Sequence, residues 1–320
     1  NPTMDIVLLD RQTFAGAIQF PLPRIEGCRW REYLTTLPGQ LLDRAADAEV
    51  IITNKVPVRV EALEQLPRLR LIAVAATGVD HIDLEAARAR DVAVCNVSDY
   101  ATESVAEHVF AMLLALRRQI MHYHQAVLNG DWSRSPIFTL NDREMDDLAG
   151  STLGIIGGGT LGQAVTRLGE AFGMRVWLAE RRDAKVMRAG YTPFDEVLRH
   201  SDVISLHVPL NADTRHLIGR AELALMKPGA ILVNTARGGI VDEAALADAL
   251  RSGRIGGACV DVLSREPPPP DHPLLSVDLT NILITPHIAW ASRQAQQRLA
   301  REVVMNIEAH FRGEQLNRII

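Results

Sequence analysis

Residues 153–162 read Leu-Gly-Ile-Ile-Gly-Gly-Gly-Thr-Leu-Gly, and this stretch narrows the possible folds more than any other. An apolar run that predicts a strand leads directly into Gly157-Gly158-Gly159-Thr160-Leu161-Gly162. That segment fits G-x-G-x-x-G and opens a predicted helix over Leu161–Phe172. In such a loop Gly157 permits the tight turn, Gly159 lets backbone approach a pyrophosphate, and Gly162 allows helix to pack closely on strand. The helix amino end adds unpaired N–H groups and partial positive charge, which suit an anion. A glycine-rich turn without a ligand satisfies the same pattern, so the loop alone does not decide. The next predicted strand, Val176–Ala179, ends beside Glu180, 18 residues after Gly162. An acid at about 20 residues holds the ribose hydroxyls of a dinucleotide. A carboxylate there repels a 2′-phosphate and favours NAD over NADP. Arg181 and Arg182 are read as a solvated strand end, although guanidinium groups bind phosphate well.

The alternation of strand and helix extends along the chain. Strands are predicted at Asp5–Leu9, Glu49–Thr53, Leu71–Ala75 and Val92–Cys95, then at Leu153–Ile156, Val176–Ala179, Val203–His207, Ile231–Asn234, Ala258–Val262 and Ile282–Thr285. Helices are predicted at Leu84–Arg90, Glu243–Ser252 and Ser292–Arg312, the last stopped by Gly313. Val105, Val109, Met112, Leu113 and Leu116 recur at helical spacing after Thr102, a capping residue, and predict a helix buried between two bodies. Residues 202–262 faintly echo residues 49–97: His207-Val208-Pro209 answers Lys55-Val56-Pro57, and Thr235-Ala236-Arg237 answers Ala76-Thr77-Gly78. With 320 residues, the chain is expected to form two α/β bodies, Rossmann-like or flavodoxin-like, each with a parallel sheet.

Several function classes are disfavoured. The longest apolar stretch, Val105–Leu116, is broken by Glu107 and His108 and falls short of the roughly 20 residues of a membrane span. The net charge is −5 with no basic block, which argues against nucleic acid and anionic membranes as partners. Cys28, Cys95 and Cys259 are scattered and form neither a zinc motif nor a disulfide framework, so no metal is expected and a reducing cytoplasm fits. Asn1-Pro2-Thr3 precede Met4, which is read as the natural start, and lack the character of a signal peptide. No HExxH, CxxC or G-x-S-x-G element is present.

Three polar residues follow predicted strands of the second body, and ligands of parallel sheets bind at the carboxyl ends of strands. Arg237 follows Ile231–Asn234, Glu266 follows Ala258–Val262, and His287 follows Ile282–Thr285. A guanidinium can polarise a carbonyl oxygen and fork onto a carboxylate. An imidazole exchanges protons near neutral pH, and a neighbouring carboxylate orients it and favours its charged form. Glu266 precedes Pro267-Pro268-Pro269-Pro270, which predicts an extended, stiff, polyproline-like segment. Singly, each residue reads as well as a surface ion pair or loop cap; the three together point to chemistry. His122 and His124, taken near the end of the long helix, lack metal-ligand spacing. His108 reads as a partly buried polar residue and His207 as the start of a cleft loop.

Four segments together resemble the D-isomer-specific 2-hydroxyacid dehydrogenase family over nearly the whole chain. They are Leu153–Gly162, Val233-Asn234-Thr235-Ala236-Arg237-Gly238-Gly239-Ile240-Val241-Asp242-Glu243, Asp261-Val262-Leu263-Ser264-Arg265-Glu266-Pro267 and Thr285-Pro286-His287-Ile288-Ala289-Trp290. Thr53–Pro57, Val97–Ala106 and His287–Ser292 are most similar to its glycerate dehydrogenase, or hydroxypyruvate reductase, branch. The resemblance implies a substrate domain of residues 1–100 plus 291–320, an NAD-binding domain of residues 101–290, an active site in the interdomain cleft, and a homodimer built through the NAD-binding domains. It implies that Arg237 binds the carboxylate and carbonyl of a small 2-oxo acid and that His287, paired with Glu266, is the acid/base. Thr77 and Gly78 would hold the carboxylate through backbone amides, with Lys55 and Trp290 bounding the pocket. Thr160, Leu161, Glu180, Val208, Pro209, Thr214, Thr235, Ala236 and Asp261 would line the NAD site, and Thr102 would reach its nicotinamide end. Gly158 departs from the pattern, where larger residues are usual and where it adds flexibility. Ser98-Asp99 stands at the expected hinge, where Pro-Gly is common.

The implied reaction is reversible hydride transfer between NADH and a 2-oxo acid. The rival readings are a non-catalytic NAD-sensing binding protein and phosphite oxidation on the same scaffold. Formate oxidation is disfavoured because such relatives usually carry Gln in place of the Glu. A long phosphoglycerate dehydrogenase, with its extra regulatory domain, is not expected, while the short form stays open as a reading.

Overall fold

Two parallel sheets organise the chain, described for residues 4–320 by a computed structural model. The reading of Asn1–Thr3 as preceding a natural start lies outside the described residues. Residues up to Ala101 together with Trp290–Ile320 form one compact unit, and Thr102–Ala289 form the other. In the first, β1 (Met4–Leu8), β2 (Cys28–Glu32), β3 (Val50–Thr53), β4 (Leu71–Val74) and β5 (Ala93–Cys95) run parallel in the order β2-β1-β3-β4-β5. This is the flavodoxin-like winding. In the second, β6 (Thr152–Ile156), β7 (Arg175–Ala179), β8 (Tyr191–Thr192), β9 (Val203–Leu206), β10 (Ile231–Asn234), β11 (Gly257–Val260) and β12 (Ile282–Ile284) take the order β12-β11-β10-β9-β6-β7-β8. The winding reverses between β6 and β9, where the Rossmann fold opens a crevice.

Most of these strands are buried on both faces, which is why they read as continuous apolar runs rather than alternating ones. In the second unit, helices Phe194–His200 and Glu243–Arg251 cover one face. Helices Thr102–Arg117 and Thr160–Ala171 cover the other, where Val109, Phe110 and Leu113 pack with Leu153 and Ile155. Helix Arg293–Phe311 belongs to the first unit; Ser292 caps it by accepting a bond from Ala295 N, and it stops before Gly313, whose φ is +82°. Cys95 and Cys259 fill strands as small apolar residues, and burial pushes both thiols up to about 12. Among the described residues no helix is long and apolar enough to cross a membrane.

Three elements were not expected. Strand β2 reads Cys-Arg-Trp-Arg-Glu, with no apolar run, and pairs with β1 while Arg29 and Arg31 reach the buried Asp5 carboxylate. Strand β8 has only two residues. The long helix ends at Arg117, and Gln119, at φ +54°, starts a separate helix, Ile120–Leu128. His122 and His124 therefore lie in that second helix, not at the end of the first.

Candidate active site

The glycine loop leaves β6 at Ile156. Gly157 has φ +104°, and a β-carbon there would stand 2.3 Å from the His207 carbonyl oxygen, so both backbone and space demand glycine. A β-carbon on Gly162 would stand 1.9 Å from the Gly157 carbonyl oxygen, which fixes how closely helix Thr160–Ala171 meets the turn. Around Gly159, the residue before the helix, a β-carbon would meet nothing within 4 Å. The first amides of the helix, at Thr160, Leu161 and Gly162, have no carbonyl ahead of them in the helix and lie beside this open space. Two residues past β9, Val208 packs on Gly157. The Thr235 hydroxyl, one residue past β10, is buried without a hydrogen-bond partner. A backbone cradle beside open space and an orphaned hydroxyl fit a dinucleotide.

Other predicted cofactor residues are engaged in shaping the chain. Thr214 donates to the Pro209 carbonyl at 2.6 Å and accepts from Asn211 N, closing its own loop. Ala236 N donates to Asn234 Oδ1. Glu180 ends β7 as expected, but it is buried and clasped by Arg188, whose Nη2 lies 2.7 Å from Oε1 and whose Nε lies 2.8 Å from Oε2. The Arg188 fork and the Arg181 amide hold this carboxyl down at about 2. Arg182 is not a solvated strand end: it pairs with Glu222 at 3.0 Å, donates to Leu217 O and lies over the Phe194 ring.

Arg237, Glu266 and His287 follow the adjacent strands β10, β11 and β12, so the parallel register delivers all three to one edge of one sheet. His287 Nδ1 lies 2.6 Å from Glu266 Oε2, and Glu266 Oε1 accepts from Leu263 N at 2.9 Å. A carboxylate accepts, so Nδ1 carries a proton toward Glu266. The backbone of Gly238 presses on Leu263 so closely that a β-carbon would stand 2.0 Å from its carbonyl carbon. That contact seats the Arg237 loop beside the Glu266 loop. Arg237 itself donates to Ala236 O at 2.7 Å.

His287 adopts φ +54°, rare for a residue with a β-carbon, and the surrounding bonds explain how it is held. Its amide donates to Asp261 O at 2.8 Å. The buried Asp261 carboxylate accepts from Ile288 N, Ala289 N and Thr285 Oγ1, so it acts on the His287 loop. Since Thr285 donates to Asp261, it accepts from His108 Nε2 at 2.9 Å, which gives the discounted His108 a place in the same network. Glu243 braces the neighbouring loop by accepting from Ser264 N and His272 Nε2. His272 Nδ1 accepts from Leu274 N, which fixes that tautomer. Sequence reading missed His272; its only signal was a lone His before Pro273. His207 bonds Ser205 Oγ, and burial pushes its imidazole down to about 4, so it is neutral and structural.

The substrate residues expected at the start of the chain lie in the first unit. Lys55 follows β3 and Thr77-Gly78 follow β4, at the carboxyl edge of that sheet. The Thr77 hydroxyl donates to Val97 O, and Thr77 O accepts from Asn96 Nδ2. Trp290 packs edge-on against Tyr100 and Phe14. Thr102 is the buried first residue of its helix in the second unit.

A glycine turn shaped for an anion and a carboxylate–imidazole pair on one Rossmann sheet are the features of a nicotinamide-dependent oxidoreductase. Residues 110–289 match the model for the D-isomer specific 2-hydroxyacid dehydrogenase NAD-binding domain. The chain is 45% identical over 317 residues to the glycerate dehydrogenase of Methylorubrum extorquens, covering 98% of both. It is 36% identical over 281 residues to the hydroxypyruvate reductase of Blautia hydrogenotrophica, covering 87% of each. Its structure matches D-lactate dehydrogenase from Aquifex aeolicus, complexed with NAD and lactic acid, with a TM-score of 0.80 and 30% identity over 98% of each chain. The chain belongs to the D-isomer specific 2-hydroxyacid dehydrogenase family and is an NAD-dependent enzyme.

Proposed function

We propose that the protein reduces hydroxypyruvate and glyoxylate to D-glycerate and glycolate. The observation that carries this reading is the His287–Glu266 pair at 2.6 Å on the sheet edge that also bears Arg237 and the glycine turn. The glycine turn, Thr160, Leu161, Val208 and Thr235 hold the dinucleotide, which when bound supplies the hydride. Arg237 binds the substrate carboxylate and stabilises charge developing on the carbonyl oxygen. His287 delivers its Nε2 proton to that oxygen, while Glu266 orients the ring and balances its charge. Asp261 positions His287.

In this reading the second unit serves the cofactor and the first, through Lys55, Thr77, Gly78 and Trp290, serves the substrate. A homodimer through the second unit is supported by an exposed apolar series at Met121, Leu128, Trp132, Ile137 and Phe138, with Leu128 66% and Phe138 90% exposed. Three unpaired cysteines suit a cytoplasmic location.

The test follows NADH absorbance with hydroxypyruvate, glyoxylate, pyruvate and phenylpyruvate. Fastest oxidation with the first two is expected. Tight NADH binding with no turnover of any acid would move the reading to a cofactor-sensing protein.

A further inference from the structure

The carboxylate expected to receive an adenosine ribose is already occupied. Glu180 Oε1 accepts from Arg181 N at 2.9 Å and Arg188 Nη2 at 2.7 Å; Oε2 accepts from Arg188 N at 3.1 Å and Arg188 Nε at 2.8 Å. A carboxylate has about four lone-pair directions, so these bonds leave no acceptor for ribose hydroxyls. The Arg188 guanidinium also lies 3.8 Å over the Tyr191 ring, with about half of the side chain exposed. The Tyr191 hydroxyl in turn lies 2.5 Å from where a Gly158 β-carbon would stand. Gly158, the departure from the family pattern, is therefore the residue that lets Tyr191 rest on the glycine turn. Glycine turn, tyrosine, arginine and glutamate form one contiguous wall.

The charges in this wall favour an anion. Glu180 is neutralised by Arg188, and the exposed Arg181 adds a positive charge with no ion pair among the described residues. Arg182 adds nothing, because Glu222 already pairs with it. An open acid at this place repels a 2′-phosphate, whereas an acid clasped by the half-exposed Arg188, with Arg181 next to it in the chain, no longer does.

We propose that this wall is a recognition site for a phosphorylated adenosine ribose, with Arg188 as the residue that sets cofactor choice, so that the enzyme accepts NADP(H) as well as NAD(H). The proposal rests on the oxo-acid reductase reading above. Arg188 is pre-organised: Glu180 fixes one side of its fork and Tyr191 one face, which leaves Nη1 to meet the phosphate. Arg181 supplies the second donor. Unphosphorylated NAD(H) binds through the glycine turn without the carboxylate's help.

The test uses the full-length protein and two readouts. Calorimetry compares 2′,5′-ADP with 5′-AMP, and steady-state kinetics compares NADPH with NADH on hydroxypyruvate. The wild type is expected to bind 2′,5′-ADP at least tenfold more tightly than 5′-AMP. R188Q is expected to remove about 10–100-fold of that preference, the worth of a charge-assisted hydrogen bond, and to lower the NADPH-to-NADH ratio of kcat/KM alike. R188K, which keeps the charge but loses the fork, is expected to fall between them. Equal binding of the two nucleotides by the wild type, or an R188Q ratio matching the wild type, would overturn the proposal. Preferred binding of 2′,5′-ADP, lost in R188Q, with no oxo acid reduced by either cofactor would uphold this site and reject the reductase reading instead.

Discussion

Strand β3 is followed by Lys55-Val56-Pro57 and β9 by His207-Val208-Pro209, and each strand lies next to the one that opens its sheet, β1 or β6. In the first unit the amides of Asn54, Lys55 and Val56 all turn onto the buried Asp10 carboxylate, the Lys55 amide at 2.7 Å. In the second unit the amides at Gly157–Gly162 meet no carboxylate among the described residues. One sheet edge thus carries its own anion, and the other is left open for a ligand's. The same winding yields a self-satisfied scaffold in one place and a dinucleotide site in the other. The difference lies in whether an aspartate or a glycine turn follows the opening strand.

The comparison can be broken at several points. His287→Ala strikes the open edge hardest: kcat is expected to fall by about 10²–10⁴-fold with NADH binding retained, and near-normal turnover would remove the role assigned to it. Gly162→Ala should weaken NADH binding by about 10²-fold, since the helix start must shift by an ångström or more to clear Gly157; fluorescence titration reads this. Asp10→Ala should cost about 3 kcal/mol in urea denaturation by orphaning three amides, yet leave NADH affinity as it was. A matching loss of NADH affinity would refute the contrast between the two edges. Acid sharpens the comparison least. Burial pushes His207 in the second unit and His81 in the first down to about 4, from 6.5. Each unfolded imidazole binds a proton that the folded one refuses. Stability is therefore full above pH 6.5 and falls toward pH 4, by roughly 2 kcal/mol per group at pH 5. His207→Asn should flatten half of that slope in denaturation followed across pH.

The parallel strands were legible because burial on both faces makes them apolar throughout; Ile231–Asn234 falls on β10 residue for residue. Strand β2 was not, because its arginines are satisfied by Asp5, a partner more than twenty residues away. The helix break at Gln119 carries no Gly or Pro to mark it. Arg237, Glu266 and His287 stood out because each follows a readable strand. Their supports did not: Glu243 meets His272 across 29 residues, and hydrogen bonds at such separations leave no period in sequence. Glu180 was found by spacing, but its capture by Arg188 depends on the path of the intervening loop.

The borders of the first sheet carry a consequence for behaviour in solution. On one side β2 presents Arg29, Arg31 and Glu32; on the other, the tail lies along β5, with Ile319 N bonded to Val94 O and Asn317 O accepting from Asn96 N. Unpaired strand borders recruit strands from other molecules, and both devices prevent it. Removal of Asn317–Ile320 would expose the apolar Ala93-Val94-Cys95, so the loss should appear as concentration-dependent aggregation in light scattering long before it appears as a lower Tm.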